Sequence, residues 1–197
     1  MSFPPVLDGR LAAVHGPLLL GIAADSIRHG LAHGRPLPAA RTGYPPAVLE
    51  RRPLFVTLER RGVLHGCVGR LDNPRPLVRE VAANAFAAAF RDGRFAPLTA
   101  PELEGLTITI SLLDPPQPIR FRSEEDLLDQ LVPGRDGLII QTHWTRAVFL
   151  PAVWNDLPDP ADFLRHLKAK AGLPSRGLPP DLEASRFQVQ CICGDMK

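Results

Sequence analysis

The residues best suited to chemistry fall in two short stretches. "LHGCVGRL", residues 64–71, sets Cys67 in a Gly66-Cys67-Val68-Gly69 run, with His65 two positions before the thiol and Arg70 three after it. "FRDGRF", residues 90–95, sets Asp92 and Arg94 on either side of Gly93. A thiolate is a nucleophile, an imidazole beside it moves protons, and a guanidinium grips phosphate or carboxylate. On this reading Cys67 and His65 are the catalytic candidates. Gly66, Gly69, Arg70, Asp92, Arg94 and Asn84 are the candidates for holding a ligand, small or acidic.

Each of these residues also has a plainer use. On a regular strand His65 and Cys67 share a face about 6.5–7 Å apart, too far for a direct pair unless the strand bulges. Glycines at 66 and 69 mark a place where a bulge forms or where something approaches the backbone closely, either a ligand or another part of the protein. Free cysteine is among the most buried residue types, so Cys67 as a small core residue is the alternative. Asp92 and Arg94 can serve as a clamp on the loop that follows them, and Asn84 as the polar edge of an apolar helix face. Cys191 and Cys193 lie on one face of the last strand and offer two soft ligands, whereas a zinc site needs about four. His143 and His166 show no ligand spacing, so neither a metal nor a cofactor is expected. Trp144 and Trp154 are expected to pack in a core or between lobes, since no Lys/Arg interleaving accompanies them as in a base-stacking platform.

The elements that must position these groups follow from periodicity and punctuation. A first helix is expected from Pro17 to a Gly34 stop, with Leu19, Ile22, Ala23, Ile27 and Leu31 near one face. Residues 35–53 form a proline-rich connection. Residues 54–71 read as a hairpin in which Phe55, Thr57 and Glu59 alternate with Val56, Leu58 and Arg60, turning at Arg61-Gly62. A helix over 76–92 carries Val78, Val81, Ala82, Ala85, Phe86 and Ala89 on its apolar face and ends at Gly93. Thr99 and Glu102 have capping-box spacing. Residues 106–114 form a strand stopped by Pro115-Pro116, and Ser123 caps a short helix reaching Leu131. "GLIIQTHWTRAVFLP" is a second hairpin, Asp159-Pro160 opens a helix closed by Gly172, and "RFQVQCIC" is the last strand. No internal repeat is found.

Hairpins and helices alternate here without a regular strand–helix–strand rhythm, which points to α+β with a mostly antiparallel sheet covered by helices. The hairpin 54–71, strand 106–114 and the last strand should share one sheet, with helices 17–32 and 76–92 over it.

Composition bounds the function classes. The 197 residues suit a single domain, or two lobes sharing one core. With 23 Lys and Arg against 21 Asp and Glu, the chain has no basic block and no electrostatic footprint for nucleic acid. The first thirty residues lack a basic n-region and carry Pro4, Pro5, Pro17, Asp8, His15 and Asp25, so neither a signal peptide nor a spanning helix is expected. Three cysteines without an export signal point to free thiols in a reducing cytoplasm.

The ordered motifs "LFVTL", "LHGCVG", "FRDGRFAPLTAPEL", "SLL", "GLII", "FLP" and "KAGLP" resemble the AMMECR family across about residues 14–193. Bacterial members are called AmmeMemoRadiSam system protein A. The family's usual forms are L-R-G-C-I-G and D-x-R-F-x-P-L/V-T-x-x-E-L. His65 stands where arginine is usual, and Lys168 where many members carry a cysteine. The resemblance implies an α+β fold in two lobes, with the cysteine motif at or near the cleft between them. It also implies a pathway shared with a Memo-like protein and a radical-SAM protein, but no settled activity; this chain is read as the catalytic or substrate-binding component. The alternatives are a non-catalytic protein-interaction module, a role to which some eukaryotic relatives are linked, and an RNA-binding protein, against which the near-neutral charge argues.

Overall fold

A computed structural model describes residues 10–39, 43–71 and 74–196. Pro4, Pro5 and Asp8, used above in reading the N-terminus, lie outside the described residues. In chain order the elements are α1 (Arg10–His33), α2 (Pro46–Leu49), β1 (Leu54–Arg60), β2 (Val63–Arg70), α3 (Leu77–Phe90), β3 (Leu106–Leu113), β4 (Gln117–Ile119), α4 (Glu124–Asp129), β5 (Gly137–Gln141), β6 (Arg146–Phe149), α5 (Pro160–Lys170), β7 (Glu183–Phe187) and β8 (Val189–Asp195), with 3₁₀ turns at Ala100–Leu103 and Pro151–Asn155. The chain divides into two compact units, one of residues 114–189 and the other built from the described residues before and after it. Each has its own cluster of buried apolar residues.

The unit formed by residues 10–113 and 190–196 is a sheet in the order β2-β1-β3-β8, with β1 antiparallel to both β2 and β3. Period-2 alternation divides its residues by face. Leu54, Val56, Leu58, Ile108, Ile110, Leu112 and Ile192 are buried in one core with Leu19, Ile22, Ala23 and Ile27 of α1 and Val78, Val81, Ala82 and Ala85 of α3. The antiparallel pairing of the hairpin with strand 106–113 and the two covering helices are as the sequence predicts. The turn between β1 and β2 has positive φ at both Arg61 (51°) and Gly62 (79°), the backbone a two-residue hairpin demands.

Three expectations change here. Pro17 lies inside α1 rather than at its start. Leu11 is buried in the same core, and that apolar contact carries the helix through the position where proline supplies no N–H. Helix α3 ends at Phe90, where the Arg91 N–H bonds the Ala87 carbonyl, so Gly93 is not its cap. The last strand is two strands. β7 belongs to the other sheet and β8 to this one, and the chain changes sheet at Gln188. Phe187 and Ile192 are each buried, one on either side of the break.

The unit of residues 114–189 holds an antiparallel sheet in the order β4-β7-β5-β6. The second hairpin is β5–β6. Strand β4 escapes the sequence pattern because Pro118 sits in its middle, which an edge position tolerates. Ser123 and Asp159 cap α4 and α5 by accepting the N–H groups of Asp126 and Asp162. Trp154 is buried, stacks on Phe163 at 3.7 Å and donates its indole N–H to the Asp136 carbonyl. Trp144, expected to pack in a core or between lobes, is instead 67% exposed at the tip of the β5–β6 hairpin. The tight turn from Thr142 to Thr145 points it away from any core.

Candidate functional site

Cys67 lies on β2, and its surroundings follow from one irregularity in the hairpin. From the turn, Arg60 faces Val63 and Glu59 faces Leu64; then Leu58 faces Gly66, which leaves His65 as an extra residue without a partner on β1. An unbulged two-residue hairpin would set Cys67 opposite Val56, on the core face. The bulge at His65 moves it one position, opposite Thr57, and so onto the outer face. There the Thr57 hydroxyl donates to the Cys67 sulfur at 3.3 Å.

The backbone of Cys67 is gripped from both sides. Its N–H donates to Asp92 Oδ2 at 2.9 Å, and its carbonyl accepts from Arg94 Nη2 at 3.3 Å. Arg94 in turn holds Asp92 through two parallel bonds, Nε to Oδ1 at 2.9 Å and Nη2 to Oδ2 at 2.7 Å. The Asp92 side chain is 7% exposed and that of Arg94 60%. Hydrogen bonds from the Arg94 guanidinium above all, and then from the Cys67 and Arg94 backbone N–H groups, hold the Asp92 carboxyl well below the usual carboxylate range, against the opposing effect of burial. The same pair raises the Arg94 guanidinium. Nη1 of Arg94 has no hydrogen bond among the described residues. Phe95 joins the group, with the Arg94 guanidinium 5.3 Å from its ring centroid and the His65 ring stacked 6.3 Å away. His65 Nε2 is buried and has no hydrogen-bond partner among the described residues.

The glycines answer a packing need. A Cβ on Gly66 would stand 2.0 Å from the Ala88 carbonyl oxygen of α3, and one on Gly69 would stand 2.3 Å from the Leu54 carbonyl and 2.5 Å from the Phe55 ring. At both positions the close approach is made by protein.

Arg70 and Asn84 meet a different partner. Glu80 on α3, 1% exposed, accepts from Arg75 Nε at 2.7 Å and from Asn84 Nδ2 at 3.4 Å, and Arg70 Nε lies 4.0 Å away. Of the expected ligand-binding residues, the structure therefore gathers Asp92 and Arg94 about Cys67 and gathers Arg70 and Asn84 about Glu80. Thr57, Phe95 and Glu80 were missed by the sequence reading. Thr57 was findable only with the bulged register. Phe95 had a signal in the same D-x-R-F run, whereas a carboxylate in the first turn of a helix reads as ordinary dipole pairing. The three cysteines are free, with Cys67 half-buried and Cys191 and Cys193 exposed.

These features define a class: an α+β protein of two antiparallel-sheet units, one of which carries a backbone-clamped cysteine on a bulged strand. The chain belongs to the AMMECR1 family, whose model matches residues 20–192. A protein of Thermofilum pendens is 36% identical over 194 residues, covering 92% of this chain and 91% of its own. One from Methanothermobacter thermautotrophicus is 36% identical over 153 residues, covering 77% and 80%. The crystal structure of the uncharacterized protein PH0010 from Pyrococcus horikoshii superposes with a TM-score of 0.78 at 32% identity, covering 89% of each chain. Among the described residues no helix is long and apolar enough to cross a membrane.

Proposed function

We propose that this chain is the AMMECR component of an AmmeMemoRadiSam-type modification pathway, with Cys67 as its functional thiol. It works in the cytoplasm beside a Memo-like and a radical-SAM protein, as a substrate-holding or catalytic subunit. The observation that supports the role given to Cys67 is the clamp; the pathway and its partners rest on the family resemblance alone. Asp92 and Arg94 together spend three charge-assisted hydrogen bonds on each other and two more on the two backbone groups of one small residue, Cys67. Such an arrangement fixes the position of the thiol, whose sulfur is hydrogen-bonded, among the described residues, by the Thr57 hydroxyl alone. Asp92 and Arg94 are then positioning residues, and the free Nη1 edge of Arg94 is the group that meets an acidic substrate. His65, stacked on Phe95 with an unpartnered buried nitrogen, is the proton carrier.

The test is competitive alkylation of the native protein with iodoacetamide, resolved by peptide mass. Exposure alone ranks Cys191 and Cys193 ahead of Cys67. A functional thiol reverses that order, with Cys67 labelled first. Labelling of Cys67 last, at the rate its burial dictates, removes the proposal and leaves the non-catalytic interaction module.

A further inference from the structure

The outer face of the β2-β1-β3-β8 sheet has a second group of sulfur atoms at its far edge. Ile192 is buried in the core of that unit, and this anchors β8 in a single register. By alternation Cys191 and Cys193 must then both point to the opposite face. The contacts agree. Thr109 Oγ1 donates to Cys193 Sγ at 3.5 Å, Ser111 Oγ pairs with Cys191 Sγ at 3.9 Å, and both cysteines are exposed. Strand β8 is at the sheet's edge, so no further strand crowds the two thiols.

We propose that Cys191 and Cys193 form a dithiolate site for a soft, two-coordinate monovalent metal ion of the copper(I) class. Two facts of geometry select it. Residues i and i+2 of a strand are about 6.5–7 Å apart at Cα, at or past the upper end of the roughly 4.4–6.8 Å over which a disulfide closes. A direct S–S bond between them is strained, while an ion placed between the sulfurs lengthens the bridge and relieves that strain. Second, among the described residues no group of three or more His, Cys, Asp or Glu side chains is arranged to hold a metal. Zinc, which takes about four ligands, is therefore not served here, whereas thiolates alone suit copper(I). On binding, each thiol releases its proton to solvent, two sulfur–metal bonds form and no electron is transferred. The site is independent of Cys67, which lies on β2 at the opposite edge of the same sheet.

The experiment is an anaerobic titration of the reduced full-length protein with copper(I), in competition with a chromophoric copper(I) chelator. Wild type and Cys67→Ser should each take up one ion per chain. Cys191→Ser and Cys193→Ser should each weaken binding about 100-fold or more, since a single thiolate does not chelate, with unchanged circular dichroism. Failure of wild type to compete with the chelator overturns the proposal, as does wild-type affinity in either serine variant or loss of binding in Cys67→Ser. Uptake of half an ion per chain, with a dimer in light scattering, overturns it in favour of a site shared between copies. None of these outcomes bears on the alkylation order that tests the role of Cys67.

Discussion

Asp92 accepts the backbone N–H of Cys67 across twenty-five residues of sequence, at 2.9 Å, and the bond ties the loop after α3 to the bulged strand β2. Replacing the carboxylate by the uncharged Asp92→Asn retains the size but loses the paired contact with Arg94. Hydrogen bonds to charged groups contribute roughly 1.5–3 kcal/mol each, so thermal denaturation should show a melting temperature lower by several degrees. An unchanged melting temperature would mean that the clamp holds nothing.

The same carboxyl predicts how stability varies with acid. Folded Asp92 titrates below its unfolded value of about 3.8, so the unfolded chain binds the proton more readily. The contribution is therefore complete above that value and is lost as pH falls below it toward the depressed folded value. Between pH 5 and pH 2.5 wild type should lose more stability than Asp92→Asn, as measured by urea midpoints. Parallel curves would contradict the assignment.

Arg94→Lys separates positioning from ligand binding. Lysine preserves the charge but lacks the planar fork that spans both Asp92 oxygens and the Cys67 carbonyl. If the guanidinium only positions Cys67, this variant lowers the melting temperature and slows alkylation of Cys67 while weak anion binding, followed with phosphate, is unaltered. If its free edge also meets an anion, as proposed above, phosphate affinity falls too.

Gly66→Ala should be poorly tolerated. The added Cβ meets the Ala88 carbonyl of a helix that cannot retreat without disturbing the core, and overpacking of this kind costs about 1–3 kcal/mol or more. Gly93→Ala is the control. Nothing lies within 4 Å of its Cβ position, so its stability should stay within about 0.5 kcal/mol of wild type. Equal melting temperatures for the two variants would refute the packing account of Gly66.

Lys168 is fully buried, and its ammonium donates to Glu124 and to the carbonyls of Ser175 and Gly177. Lys168→Met leaves those three acceptors without their donor. Glu124 is 38% exposed and can turn to water, so the loss rests mainly on the two carbonyls left without a donor, about 1–3 kcal/mol each if they stay buried, and the double variant Lys168→Met/Glu124→Gln should recover little of it. A Lys168→Met protein as stable as wild type would show that the ammonium is not needed.

Much of this molecule is determined locally. The alternation of "LFVTLER" and "LTITISLL" fixes which side chains enter the core, and the Arg61-Gly62 turn, the Ser123 and Asp159 caps and the apolar faces of α1 and α3 are all set by residues within a few positions of one another. For that reason the α+β class, the first sheet and its covering helices were legible. Three features were not. The alternation runs through "RFQVQCIC" without a break, and only the tertiary pairing of β7 with β5 and of β8 with β3 divides it between two sheets. Trp144 has the composition of a core residue and a place at a hairpin tip. The decisive case is Cys67. Local hairpin rules turn it inward, opposite Val56, and the bulge at His65 turns it outward, opposite Thr57. A register shift of one residue reverses every face in a strand. What selects it is Gly66 receiving the Ala88 carbonyl and Asp92 capturing the Cys67 N–H, contacts more than twenty residues distant that exist only once the helix has packed.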